Sequence, residues 1–101
     1  MTGKRSEYFR RFREGLPLAT IASEMGCRQE TAAQYLAEFI VETRPASIEH
    51  WVDGKVYSLI AEHTRTLDEP RFKLIYDHFA GEFTYDQIRL VMAHQRSLAE
   101  S

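Results

Sequence analysis

The residue types able to do chemistry are few in this chain, and their spacing does not bring them together. His50, His63, His78 and His94 are the metal-ligand and proton-transfer candidates. No two stand at i, i+4, and neither an HExxH run nor a Cys–His cluster occurs, so the spacing implies no metal site and no cofactor. Asp77 and His78 are adjacent, which on a helix turns them about 100° apart, unsuited to a base and its orienter. Cys27 stands alone and reads as a small buried hydrophobe among apolar neighbours. No glycine-rich phosphate loop is present, so the chain itself is expected to be no enzyme and to take no small-molecule substrate. What remains is recognition chemistry. Arg28 suits guanine or phosphate, Gln29 and Gln34 suit adenine edges or sugars, and Thr31 lies on the same short stretch. Arg10, Arg11 and Arg13 add cations just upstream.

These residues need helices to position them. Tyr8, Phe9 and Phe12 at helical spacing predict a first helix from an N-cap at Ser6 to Gly15. Pro17 suits the first turn of a second helix that buries Leu18, Ile21, Ala22 and Met25 and stops at Gly26. A third helix runs from about Arg28 to Glu42, with Ala32, Tyr35, Leu36, Phe39 and Ile40 inward, and Pro45 blocks its continuation. Ser47 caps a short turn holding Ile48, Trp51 and Val52, and Asp53 opens a helix with Val56, Leu59 and Ile60 inward. Asp68 is read as the cap of the next helix, with Pro70 in its first turn and Phe72, Ile75, Tyr76 and Phe79 along one face, ending at Gly81. Thr84 and Gln87 form a capping box for a last helix carrying Ile88, Val91 and Met92. No stretch sustains period-two alternation. The expected fold is all-α, a compact bundle of six or seven short helices around one core.

Residues 16–40 carry the most specific pattern. A small residue, Ala22, stands where a following helix would pass closely; Gly26 suits a turn needing positive φ; Ala32 and Leu36 open the next apolar stripe. That is a helix-turn-helix pattern, with residues 28–37 as the recognition helix. Gln29, Glu30, Ala33, Gln34 and Ala37 are expected on its outer side, where Glu30 and Glu38 oppose tight phosphate binding. The aromatics Trp51, Tyr57, Tyr76 and Tyr85 are expected in the core and not as a base-stacking platform. A weaker echo pairs Phe12, Leu16, Leu18, Ile21 and Met25 with Phe79, Phe83, Tyr85, Ile88 and Met92, 67 residues on. It reads as chance similarity between amphipathic segments.

Composition narrows the class. The chain has 101 residues, 44% hydrophobic and 28% charged, which suits one folded domain and excludes a disordered tail. No apolar run approaches the ~20 residues of a membrane span, and no secretion signal is legible. With one cysteine, a reducing and cytoplasmic setting is expected. The net charge of −2 hides an asymmetry: residues 1–30 carry six bases against four acids, whereas residues 31–101 carry seven against eleven. A basic first third on an acidic body suggests one anion-facing side.

The run from Tyr8 to Ala22 (YFRRFREGLPLATIA), followed by Gly26 and Thr31, resembles the helix-turn-helix domain at the C-terminus of RecQ-type and related DNA helicases. The segment from Phe83 to His94 is similar to that family's closing helix, and the likeness spans about residues 6–98. Arg28 departs from it, standing where the family has a small hydroxyl cap. The resemblance implies a non-catalytic accessory module, joined to helicase motor domains in the same polypeptide by a basic linker ending near Lys4 and Arg5. It also implies weak, non-specific DNA engagement connected with repair or recombination, and nucleoid association. Residues 1–5 then form the lead-in, residues 6–101 the domain, with the helix-turn-helix core at about 16–42 and a C-terminal helical part at 47–98. Four arginines neutralise about four phosphates, limiting the log–log salt slope to roughly −3.6. The competing readings are a docking module for the motor or another protein, and a stand-alone helix-turn-helix regulator.

Overall fold

Glycine and proline set most helix boundaries in the computed structural model, which describes residues 3–99. α1 (Lys4–Arg13) runs out into Gly15 at φ +73°, and Pro17 stands in extended conformation just before α2 (Leu18–Met25). Gly26, at φ +65° and ψ +37°, ends α2; the Cys27 N–H then reaches back to the Ala22 carbonyl at 3.0 Å, satisfying an otherwise orphaned acceptor. α3 (Gln29–Thr43) stops at Arg44, immediately before Pro45. Asp53 caps α4 (Gly54–Thr64), accepting from the Lys55 and Val56 N–H groups at 3.0 and 3.4 Å. α5 (Phe72–His78) is short, and α6 (Tyr85–Ala99) opens on a reciprocal capping box. There the Gln87 N–H donates to Thr84 Oγ1 at 3.1 Å, and the Thr84 N–H donates to Gln87 Oε1 at 2.9 Å. Thr84→Ala should therefore cost about 1 kcal/mol, read as a fall of about 4–8 °C in melting temperature.

Six helices and no strand among the described residues make the fold all-α. Four local expectations are corrected. α1 begins at Lys4, with the Glu7 N–H bonded to the Gly3 carbonyl at 3.3 Å, so Ser6 lies inside the first turn and is not its cap. Lys4 and Arg5, expected in a lead-in, are helical; Met1 and Thr2 lie outside the described residues. Asp68 caps nothing, because Pro70 disfavours helical geometry at Glu69 and the helix starts only after Arg71. Leu59 is 41% exposed, and α4 instead buries Ile60, Ala61 and Thr64 against its neighbours.

The helices form two three-helix groups. α3 packs on α1 and α2, α6 packs on α4 and α5, and the two groups join along α3 and α6, the most extensive helix pair in the molecule. α1 crosses α3 in the opposite sense: Arg5 meets Glu38 and Glu42 near the end of α3, and Tyr8 stacks on Tyr35 with centroids 4.2 Å apart. The core is continuous through Tyr8, Phe12, Leu36, Ile40, Ile60 and Val91. This arrangement matches α1 with α4, α2 with α5, and α3 with α6, the last two being 15 residues each. The 67-residue echo instead aligned α2 with α6, helices of unequal length and different packing.

The segment between α3 and α4 is tied down by polar contacts. The Trp51 indole N–H donates to the Leu16 carbonyl at 2.9 Å. His94, only 4% exposed, lies 2.8 Å from the Pro45 carbonyl through Nε2 and 2.6 Å from the Tyr57 hydroxyl through Nδ1. A carbonyl only accepts, so Nε2 carries the proton and Nδ1 accepts from Tyr57. This histidine joins α6, α4 and the connector.

Candidate nucleic-acid interface

α2 and α3 meet through the three residues Gly26, Cys27 and Arg28. Ala22 is 6% exposed at the contact and Ala32 is fully buried one turn into α3. Beneath the turn, the Tyr8 hydroxyl donates to Cys27 Sγ at 2.9 Å. Burial, reinforced by that hydrogen bond, pushes the Tyr8 pKa up to about 12. Cys27 is thus a packed partner of a buried tyrosine at the turn.

α3 begins in the open. Arg28 is extended and provides no side-chain cap, so the first N–H groups of α3 are donors without an intrahelical acceptor. Arg28, Gln29, Glu30 and Gln34 are exposed, and Thr31 is half-buried. A short helix turning through a left-handed glycine into a longer helix with an exposed start is a helix-turn-helix arrangement.

A family model described as a helix-turn-helix domain matches residues 5–92. The chain belongs to this helix-turn-helix family. No curated protein and no solved structure shows a match to it.

Within the helix-turn-helix domain, α6 limits what α3 can present. Ala33, expected outside, is fully buried, and Ala37 is half-buried beside Met92 and Ala93 of α6. The open side of the recognition helix near its start is therefore Gln29, Glu30 and Gln34, with Thr31 half-buried.

The four arginines divide into two pairs. Arg10 is bound by Glu7 at 3.0 Å and Glu14 at 3.6 Å. Arg11, whose side chain is 16% exposed, bonds Glu7 at 3.1 Å and, across to α2, Glu24 at 2.8 Å. The hydrogen bonds from Arg10 and then Arg11 hold the Glu7 carboxyl below its usual range, and Glu7, Glu14 and Glu24 together more than offset the two arginines. Among the described residues, Arg13 and Arg28 have no ion-pair partner. The i, i+3 and i, i+4 pairs around Glu7 are legible from spacing. The Arg11–Glu24 link depends on how α1 meets α2 and has no local signal.

Other candidates are also placed. Tyr85, expected in the core, is 42% exposed and stacks on Tyr76 with centroids 4.6 Å apart. Glu30 lies on the same recess as Tyr85, Asp86 and Arg89. Burial raises the Asp86 pKa, Arg89 opposes that, and Glu30 adds to it, so acids border this flank of α3. His63 and His78 stack face to face at 3.6 Å, and burial, then the neighbouring imidazole, lowers the His63 pKa. No group of three or more His, Cys, Asp or Glu side chains converges among the described residues, and no helix there is long and apolar enough to cross a membrane.

Proposed function

We propose that this helix-turn-helix domain engages DNA weakly, as a non-catalytic accessory module of a RecQ-type DNA helicase. The observation that carries the DNA part is the exposed, uncapped start of α3, where free N–H groups and Arg28 suit a phosphate while Gln29 and Gln34 project beside them. The helicase part rests on the likeness of residues 8–22 and 83–94 to the C-terminal domains of those enzymes. In that setting the partners are DNA and the motor domains of the same polypeptide, in the cytoplasm at the nucleoid. Tethering to a motor makes weak contacts useful by raising the local concentration of DNA.

The ion pairs reduce the electrostatic capacity expected from four arginines. With Arg13 and Arg28 as the available cations, about two phosphates are neutralised and the log–log salt slope should be near −2. Affinity should then lie on the order of 10⁻⁴–10⁻⁶ M and fall about tenfold between ~50 and ~200 mM salt. Fluorescence anisotropy with duplex and forked DNA measures both quantities. Arg28→Ala should halve the slope, whereas Arg10→Ala and Gln34→Ala should change binding little. Absence of binding to either DNA at low salt would replace this reading with protein docking.

A further inference from the structure

A recess of about 410 Å³ opens beside the start of α3, lined by Glu30 of that helix and by Thr84, Tyr85, Asp86 and Arg89 around the start of α6. α3 and α6 run parallel: Glu30 faces Asp86 at one end, and Ala37 and Val41 share a groove with Ala93 and Arg96 further along. Both helix starts therefore lie at one end of the molecule. The charges on the recess are Glu30 and Asp86 against Arg89, a net of one negative. Arg89 bonds Asp86 at 3.1 Å, and both of those side chains are mostly covered. Glu30 is exposed and has no ion-pair partner among the described residues. Tyr85 supplies an aromatic wall. Tyr76 stacks on its ring at 4.6 Å with the planes 4° apart, yet 42% of Tyr85 remains open.

We propose that this recess takes one unpaired guanine of a DNA strand, with the base stacked on Tyr85 and its Watson–Crick edge on the Glu30 carboxylate. Guanine presents two adjacent donors on that edge, N1–H and N2–H, which match the two oxygens of a carboxylate. Thymine presents one donor between two carbonyl acceptors, which a carboxylate repels. Phosphate is repelled as well, so the recess accepts a base edge and leaves the backbone to Arg28, two residues before Glu30. A paired base does not fit, because its Watson–Crick edge is occupied and its faces are covered by its neighbours. The ligand is therefore a single-stranded or forked segment. The site depends on the DNA reading above, because its base must arrive on a strand held at Arg28.

Fluorescence anisotropy provides the test, using two forked DNAs that differ by one unpaired nucleotide at the junction, guanine or thymine, and a blunt duplex as reference. The whole domain should bind the guanine fork about tenfold more tightly than the thymine fork. Glu30→Gln should remove that preference by weakening the guanine fork, whereas loss of a negative charge alone would strengthen binding to every DNA. Tyr85→Ala should weaken the guanine fork about tenfold and Tyr85→Phe should retain it, with duplex binding unchanged in both. Circular dichroism reports the fold of each variant. If Tyr85→Ala does not fold, Glu30→Gln, at an exposed position, decides alone. The proposal is overturned by equal affinity for the two forks, by a Glu30→Gln variant that strengthens both alike, or by an unchanged guanine fork in Tyr85→Ala. In those cases intact duplex binding leaves the DNA reading standing, while absence of binding to all three DNAs overturns both.

Discussion

Replacing Phe12 by Ala should remove about 3–5 kcal/mol of stability, the largest single loss expected here. The ring is 2% exposed and packs against Phe39 of α3 at 5.4 Å and Trp51 of the connector at 6.3 Å. It also lies 6.3 Å from Tyr8 and 6.2 Å from Phe9 on its own helix. Truncation would open a cavity bordered by three separate parts of the chain, which cannot all collapse into it at once. Against a total stability on the order of 5–15 kcal/mol, the domain should melt at least ~12 °C lower and be partly unfolded at room temperature. Leu59→Ala is the contrast: the same kind of truncation at an exposed position should stay within about ±0.5 kcal/mol. Thermal denaturation followed by circular dichroism compares the two. Equal melting temperatures for both variants would contradict the placement of Phe12 at the centre of the first three helices.

Gly26→Val should cost about 2 kcal/mol or more, for a different reason. No heavy atom stands within 4 Å of where a Cβ would be, so the substitution meets no clash. Its cost is backbone strain: an L-residue in left-handed conformation costs roughly 1–2 kcal/mol, and β-branching adds to that. Gly26→Asn should therefore be tolerated much better, since Asn enters that region readily. Denaturant midpoints for the two variants distinguish strain from crowding. If Val and Asn destabilise equally, side-chain space rather than φ controls the turn.

Much of the architecture was legible because the signals are local. Gly26 requires only its own φ, Asp53 only the two N–H groups after it, and Thr84 with Gln87 only one helical turn. The apolar periodicity of α3 likewise predicted the burial of Ala32, Leu36, Phe39 and Ile40. Local signals failed where proline geometry competed with a capping residue, as at Asp68, and at one edge of an apolar stripe, as at Leu59 in α4. Periodicity identifies an apolar face but not the direction from which a neighbouring helix will cover it. Leu59 and Ile60, both expected inward, point about 100° apart, and packing against α6 and α5 buries Ile60 while leaving Leu59 at the edge.

The candidate interface shows the same division. By itself, the sequence determined that the chain folds as helices, that residues 16–42 contain a turn between two of them, and that Arg28, Gln29 and Gln34 begin the second. These follow from spacing and backbone chemistry within a few residues. Only the tertiary structure decided how much of that helix is open, because packing against the other helices buries Ala33 fully and leaves Gln29, Glu30 and Gln34 exposed. It also decided which arginines remain for phosphate, because Glu24 reaches Arg11 across a helix junction while Arg28 meets no acid among the described residues. Charge can be counted along a chain, but its availability depends on distance, which is set when separate helices pack together.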